Sequence, residues 1–100
     1  MSTLVKRRSR YRFRLYVADG AQNGAQAIAN LTTLCRAYLP DRHEIEIVDV
    51  LLEPKRALAD GIFLTPTLVK LAPSPVRRIV GTLSHTQTIL LAFGLEVVAA

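Results

Sequence analysis

From Tyr11 to Ala18 apolar Tyr11, Phe13, Leu15 and Val17 alternate with Arg12, Arg14 and Tyr16. That two-residue period predicts a half-buried β-strand, because successive side chains leave a strand on opposite faces. Asp19-Gly20 stops it, and residues 21–24 form a short polar loop in which Asn23 is a candidate helix cap. The period then lengthens. Ile28, Leu31, Leu34, Cys35, Tyr38 and Leu39 recur at helical spacing, predicting a helix from about Ala25 to Tyr38 that Pro40-Asp41 ends. Glu44 to Leu51 returns to the strand pattern, with Ile45, Ile47 and Asp49 on one face and Val48 and Val50 on the other. Apolar residues on both sides near its end predict a central strand, covered on both faces. The first 50 residues thus predict a right-handed parallel strand-helix-strand unit.

The second half commits less firmly. Pro54 to about Leu58 opens as a helix with proline at an early position, and Ala59-Asp60-Gly61 stops it. Phe63 to Leu71 reads as a strand, and Val76 to Val80 as a shorter one ending at Gly81. Ser84 is placed to cap a final helix from about His85 to Leu95, with Gln87 where a capping box wants it. The order is strand-helix-strand-helix-strand-strand-helix, an α/β domain. Thr86 to Leu91 also accepts a strand, and Leu68 to Ala72 also accepts a helix. Thr65-Pro66-Thr67-Leu68 sets a proline at the entry to an apolar run, where a cis bond is available and no ladder donor is lost. In an α/β chain this small, such a proline suggests a thioredoxin-like architecture.

One hundred residues bound the chain to one domain. Its net charge of +5 is unevenly spread: Lys6, Arg7, Arg8, Arg10, Arg12 and Arg14 precede any acid, leaving seven basic residues against eight acidic ones. We therefore expect a flexible basic arm over residues 1–10 and a single, nearly neutral domain over 11–100. Such an arm can steer a chain toward an acidic protein surface or toward nucleic acid. The lone cysteine excludes an internal disulfide and fits a reducing compartment. No apolar run approaches the roughly 20 residues that span a bilayer, so a cytoplasmic location without membrane contact is expected.

Catalytic constellations fail one by one. Thiol chemistry wants a low-pKa cysteine near a helix start, whereas Cys35 falls well inside the first helix and the Asp19-Gly20-Ala21-Gln22 loop has no sulfur. His43 and His85 form no ligand-spaced pair, Ser84 is better used as a cap than as a nucleophile, and Gly20 and Gly24 match no phosphate loop. Neither a cofactor nor an enzymatic role is expected. Asp49, between two valines, calls for a partner such as Lys55 or Arg56. Arg77 and Arg78 point to opposite faces of a strand, so one can pair with Asp49, Glu53 or Asp60 while the other meets a partner. Lys55, Arg56, Arg77 and Arg78 are the candidate protein-binding residues.

Leu15-Tyr16-Val17-Ala18, Val48-Asp49-Val50-Leu51 with Pro54, Thr65-Pro66-Thr67-Leu68, and above all Pro75-Val76-Arg77-Arg78-Ile79 followed by Gly81 and Leu83-Ser84 resemble the KaiB family of circadian clock proteins. The resemblance covers residues 11–95. It implies a non-enzymatic regulator that binds a KaiC-type ATPase ring, in a circadian clock or a clock-related stress pathway, with KaiA or a sensor kinase as further partners. It also implies a resting homodimer or homotetramer, and two folds: a thioredoxin-like form and a ground-state arrangement in which the half beyond about Leu51 is rebuilt. Pro66, Pro75, Gly81 and Thr82 then mark the half that switches. Thr82 stands where the family commonly has an acid. A thioredoxin-like redox enzyme or sensor, and nucleic-acid binding through the arm, remain the alternatives.

Overall fold

The computed structural model describes residues 9–95. Seven elements follow in the expected order: β1 (Tyr11–Val17), α1 (Gln22–Tyr38), β2 (His43–Asp49), α2 (Pro54–Ala59), β3 (Thr67–Ala72), β4 (Arg77–Val80) and α3 (Thr86–Ala92). They build one four-stranded sheet in the order β2-β1-β3-β4. β1 runs parallel to β2, with Leu15 opposite Ile47. It runs antiparallel to β3, with Leu15 opposite Leu68, and β4 is antiparallel to β3.

The alternation in β1 divides the core in two. Tyr11, Phe13, Leu15 and Val17 face Ala27, Leu31, Leu34 and Cys35 of α1 and Ile89, Leu90 and Phe93 at α3. Phe13 and Phe93 rings lie 4.7 Å apart, and the Tyr11 hydroxyl donates to the Phe93 carbonyl at 2.8 Å. The opposite face carries a thinner layer, in which Tyr16, Val48 and Val69 lie under Ala57 and Ile62. Asn30 of α1 donates to the Thr82 carbonyl at 2.7 Å and ties α1 to the β4–α3 connection.

Several local expectations are corrected. β2 lies at the sheet edge, not its centre; near its end Val48 is buried with Tyr16, Ala57 and Val69, while Ile47 on the other face stays 42% exposed. Helix α1 starts earlier than Asn23, with Ala21 at the cap position and no side-chain cap. Strand β3 starts at Thr67, so Phe63 and Leu64 lie in an exposed loop. His85, not Ser84, holds the cap position of α3, and Ser84 instead receives a bond from the Thr82 hydroxyl at 3.4 Å. Asp49 pairs with neither Lys55 nor Arg56: its Oδ1 accepts the Leu51 backbone N–H at 2.9 Å, which closes the turn into α2. The ambiguous stretches resolve as strand over 67–72 and helix over 86–92. Of the expected arm, Lys6, Arg7 and Arg8 lie outside the described residues, whereas Arg10 pairs with Glu44 at 2.8 Å. No helix among the described residues is long and apolar enough to cross a membrane.

Candidate docking face

Helix α2 has six residues and buries Ala57. The apolar residues around it are left in solvent: Leu52 is 79% exposed and Phe63 83%, and Leu51, Leu58, Leu64 and Val80 are exposed as well. Leu52 borders one shallow depression at the start of α2, and Phe63, Leu64 and Val80 border a second at its end. The first, about 360 Å³, is lined by Leu52, Glu53, Pro54, Lys55 and Arg56. The second, about 150 Å³, is formed by the Gly61–Leu64 loop with Thr67, Arg78 and Val80.

The candidate cations separate into three environments. Lys55 is exposed at the first depression. Arg56 is held by Glu46 at 2.9 Å and Glu53 at 3.3 Å. Both hydrogen bonds keep its guanidinium firmly charged, the one it donates to Glu46 being the larger cause. Arg78 donates to the backbone carbonyls of Asp60 and Gly61, meeting the expectation of an Asp60 partner through the main chain instead of the carboxylate. Arg77 faces the other side of the sheet, opposite Lys70 in the β3–β4 register; burial, and then the nearby Arg77 charge, hold the Lys70 ammonium below its ordinary value.

Of the remaining candidates, Pro66, Gly81 and Thr82 lie where β3 begins and β4 ends, and Pro75 lies in the β3–β4 hairpin at the opposite end of the sheet. The Thr65–Pro66 and Ser74–Pro75 bonds are cis. The Pro66 carbonyl accepts the Gly81 N–H at 2.9 Å, joining the entry of β3 to the exit of β4. Gly81 has φ +120 and Leu83 φ +64, so the chain leaves β4 through left-handed backbone before α3.

Sequence reasoning missed a polar network beneath this face. Arg14 Nε donates to Glu46 at 2.8 Å and its Nη1 to Asp60 at 3.1 Å. The Tyr16 hydroxyl donates to the same Asp60 oxygen. The Asp60 carboxyl sits below its ordinary value chiefly because of that Tyr16 bond, with Arg14 adding to it. Arg12 and Arg14 mark a polar strand face in the sequence, but nothing in their spacing names Asp60 as a partner.

The geometry offers little chemistry. Cys35 is fully buried and desolvation pushes its thiol up to about 12, so no useful fraction is thiolate at neutral pH. The loop over residues 18–22 lines a depression of about 270 Å³ that contains no sulfur. His43 Nδ1 donates to the Leu39 carbonyl at 2.7 Å. Among the described residues, no group of three His, Cys, Asp or Glu side chains is placed to hold a metal ion.

A KaiB domain matches residues 14–95. The chain is 44% identical to the circadian clock protein KaiB3 of Synechocystis sp., over 85% of this chain and 81% of that protein. It is 36% identical to the circadian clock oscillator protein KaiB of Thermostichus vulcanus, over 88% of this chain and 82% of the relative. Among solved structures, the N-terminal domain of SasA from Synechococcus elongatus superposes with a TM-score of 0.69 at 16% identity, covering 91% of this chain and 90% of that one. Chloroplastic thioredoxin z gives 0.72 at 17% identity, covering 93% and 83%. At such identities the two structures speak for the fold alone, and that fold is thioredoxin-like.

Proposed function

The chain belongs to the KaiB family, and from that premise we propose that it is a non-enzymatic regulatory protein that docks on a KaiC-type ATPase ring, in a circadian clock or a clock-related stress pathway. The observation that carries the reading is the apolar surface left uncovered at both ends of α2, Leu52 at one and Phe63 and Leu64 at the other, beside Lys55 and Arg78. Exposed apolar area rimmed by charge is the signature of a protein contact. The buried, proton-holding Cys35 supports binding over thiol chemistry. KaiA or a sensor kinase is the further partner, and the same apolar surface suits a homodimer or homotetramer at rest. The half beyond Leu51, with Pro66, Pro75, Gly81 and Thr82, is where an alternative ground-state arrangement is proposed to differ. The basic residues before β1 are proposed as an arm adjoining a single domain.

Titration of the full chain against a KaiC-type ring with ATP is the direct test. A defined complex is expected, weakened about tenfold or more by Phe63→Ser or Leu52→Ser, as loss of a central apolar anchor predicts. Lys55→Ala should weaken it less, and Arg77→Ala, on the opposite face, should leave it unchanged. No complex across related rings and nucleotide states overturns the reading.

A further inference from the structure

A six-residue helix is too short to hold its own shape in water, and α2 has little apolar contact to hold it: it buries Ala57, and Ile62 follows. The contacts at its C-terminal end are mostly polar and converge on one turn. Tyr16 and Arg14 both donate to the Asp60 carboxylate from β1, while Arg78 on β4 donates to the carbonyls of Asp60 and Gly61. The turn is thus gripped from beneath and from the side. Arg14 continues to Glu46 on β2 at 2.8 Å, and Glu46 to Arg56 on α2 at 2.9 Å. The bonds close a circuit from β1 through β2 and α2 back to the turn.

We propose that this circuit is a latch, with Asp60 the positioning residue that holds α2 and the Phe63-Leu64 loop in a single geometry. Phe63 and Leu64 follow directly on the gripped turn, and Lys55 and Arg56 sit on the helix it anchors. Releasing Asp60 therefore moves both depressions together. Tyr16 is fully buried, so its hydroxyl loses its partner if the turn leaves, and a buried donor without a partner is costly. That couples the latch to the thin core layer. Gly61, at φ +67, supplies the left-handed step that brings both carbonyls to Arg78, a conformation that disfavours any side chain.

The latch deepens the docking reading and rests on it only for partner affinity; the placement of α2 is tested without a partner. Hydrogen exchange is measured on the free full chain, wild type against Asp60→Asn and Tyr16→Phe. The second variant removes one hydroxyl and keeps the ring packed, so a fold survives to be measured even if Asp60→Asn loses it. The Ala57 and Ile62 amides close the helix and its C-terminal turn through Glu53 and Ala57 carbonyls. They should exchange about tenfold faster or more, while the amides shared by β1 and β3 keep their protection. Unchanged exchange at Ala57 and Ile62 overturns the latch. So does equal acceleration across the sheet, which reports lost core stability and nothing local. A wild-type chain that shows the local effect in its variants but binds no ring would sink the docking reading and leave the latch standing.

Discussion

The Tyr11 hydroxyl donates to the Phe93 carbonyl at 2.8 Å inside the thicker core, while its ring stacks on Phe13. Stripping the donor leaves a buried carbonyl unpaired, at a cost of about 1–3 kcal/mol. Tyr11→Phe is therefore expected to lower the urea midpoint with an unchanged slope, although it removes only an oxygen. Glu46 behaves differently. The hydrogen bond from Arg56, and then that from Arg14, hold its carboxyl down at about 2, against an ordinary 4.5. A depressed folded value means that the contribution is complete above the ordinary value and is lost as pH falls toward the depressed one. Glu46 is 46% exposed, so the contribution is screened to about 1 kcal/mol or less. The stability gap between wild type and Glu46→Gln should accordingly be largest at neutral pH, close as acid titrates the group, and shrink with added salt. Chemical denaturation across pH checks it. Cys35, with its thiol pushed up to about 12 by burial, should react with a thiol reagent only through opening of the fold. Its labelling rate in mild denaturant should follow stability.

Among the elements, the connection from β4 to α3 is the most conformationally demanding. Gly81 adopts φ +120, and no heavy atom lies within 4 Å of where a Cβ would stand. The penalty of Gly81→Ala is thus backbone strain without a clash, on the order of 1–3 kcal/mol, and a urea midpoint measures it. This also shows what the sequence makes legible. The alternation of β1 and the helical recurrence of α1 are plain because each presents one apolar face to one thick layer. The edge position of β2 is not, because Ile47 is apolar yet stays in solvent, so the sequence imitates the pattern of a strand covered on both faces. Phe63 and Leu64 extend the apolar run of β3 in sequence yet stand in solvent, and a hydrophobic run does not say whether its residues meet a core or a partner. The polar network is hidden for another reason: Arg14 lies 32 residues from Glu46 and 46 from Asp60, so only the folded sheet brings them together.

At the scale of the whole molecule, two helices cover one face of the sheet and a single short helix covers part of the other. Substitutions should divide along that line. Phe13→Ala, in the thick layer, is expected to cost about 3–5 kcal/mol. The pair Leu52→Ser and Phe63→Ser should change stability by only about 0.5 kcal/mol each, while reducing self-association seen by light scattering at micromolar concentration. The sheet order has a consequence in time as well. β1 is bonded along both of its edges, to β2 and to β3, but those partners are made at different moments. A nascent chain that has reached Leu51 already holds β1, α1 and β2, while the inner edge of β1 waits for residues Thr67–Ala72. At roughly 5–20 residues per second of synthesis, that wait lasts on the order of one to four seconds. An unpaired inner edge is a template for any other strand. Until β3 is made, that edge is therefore open to mispairing with a strand of a neighbouring chain.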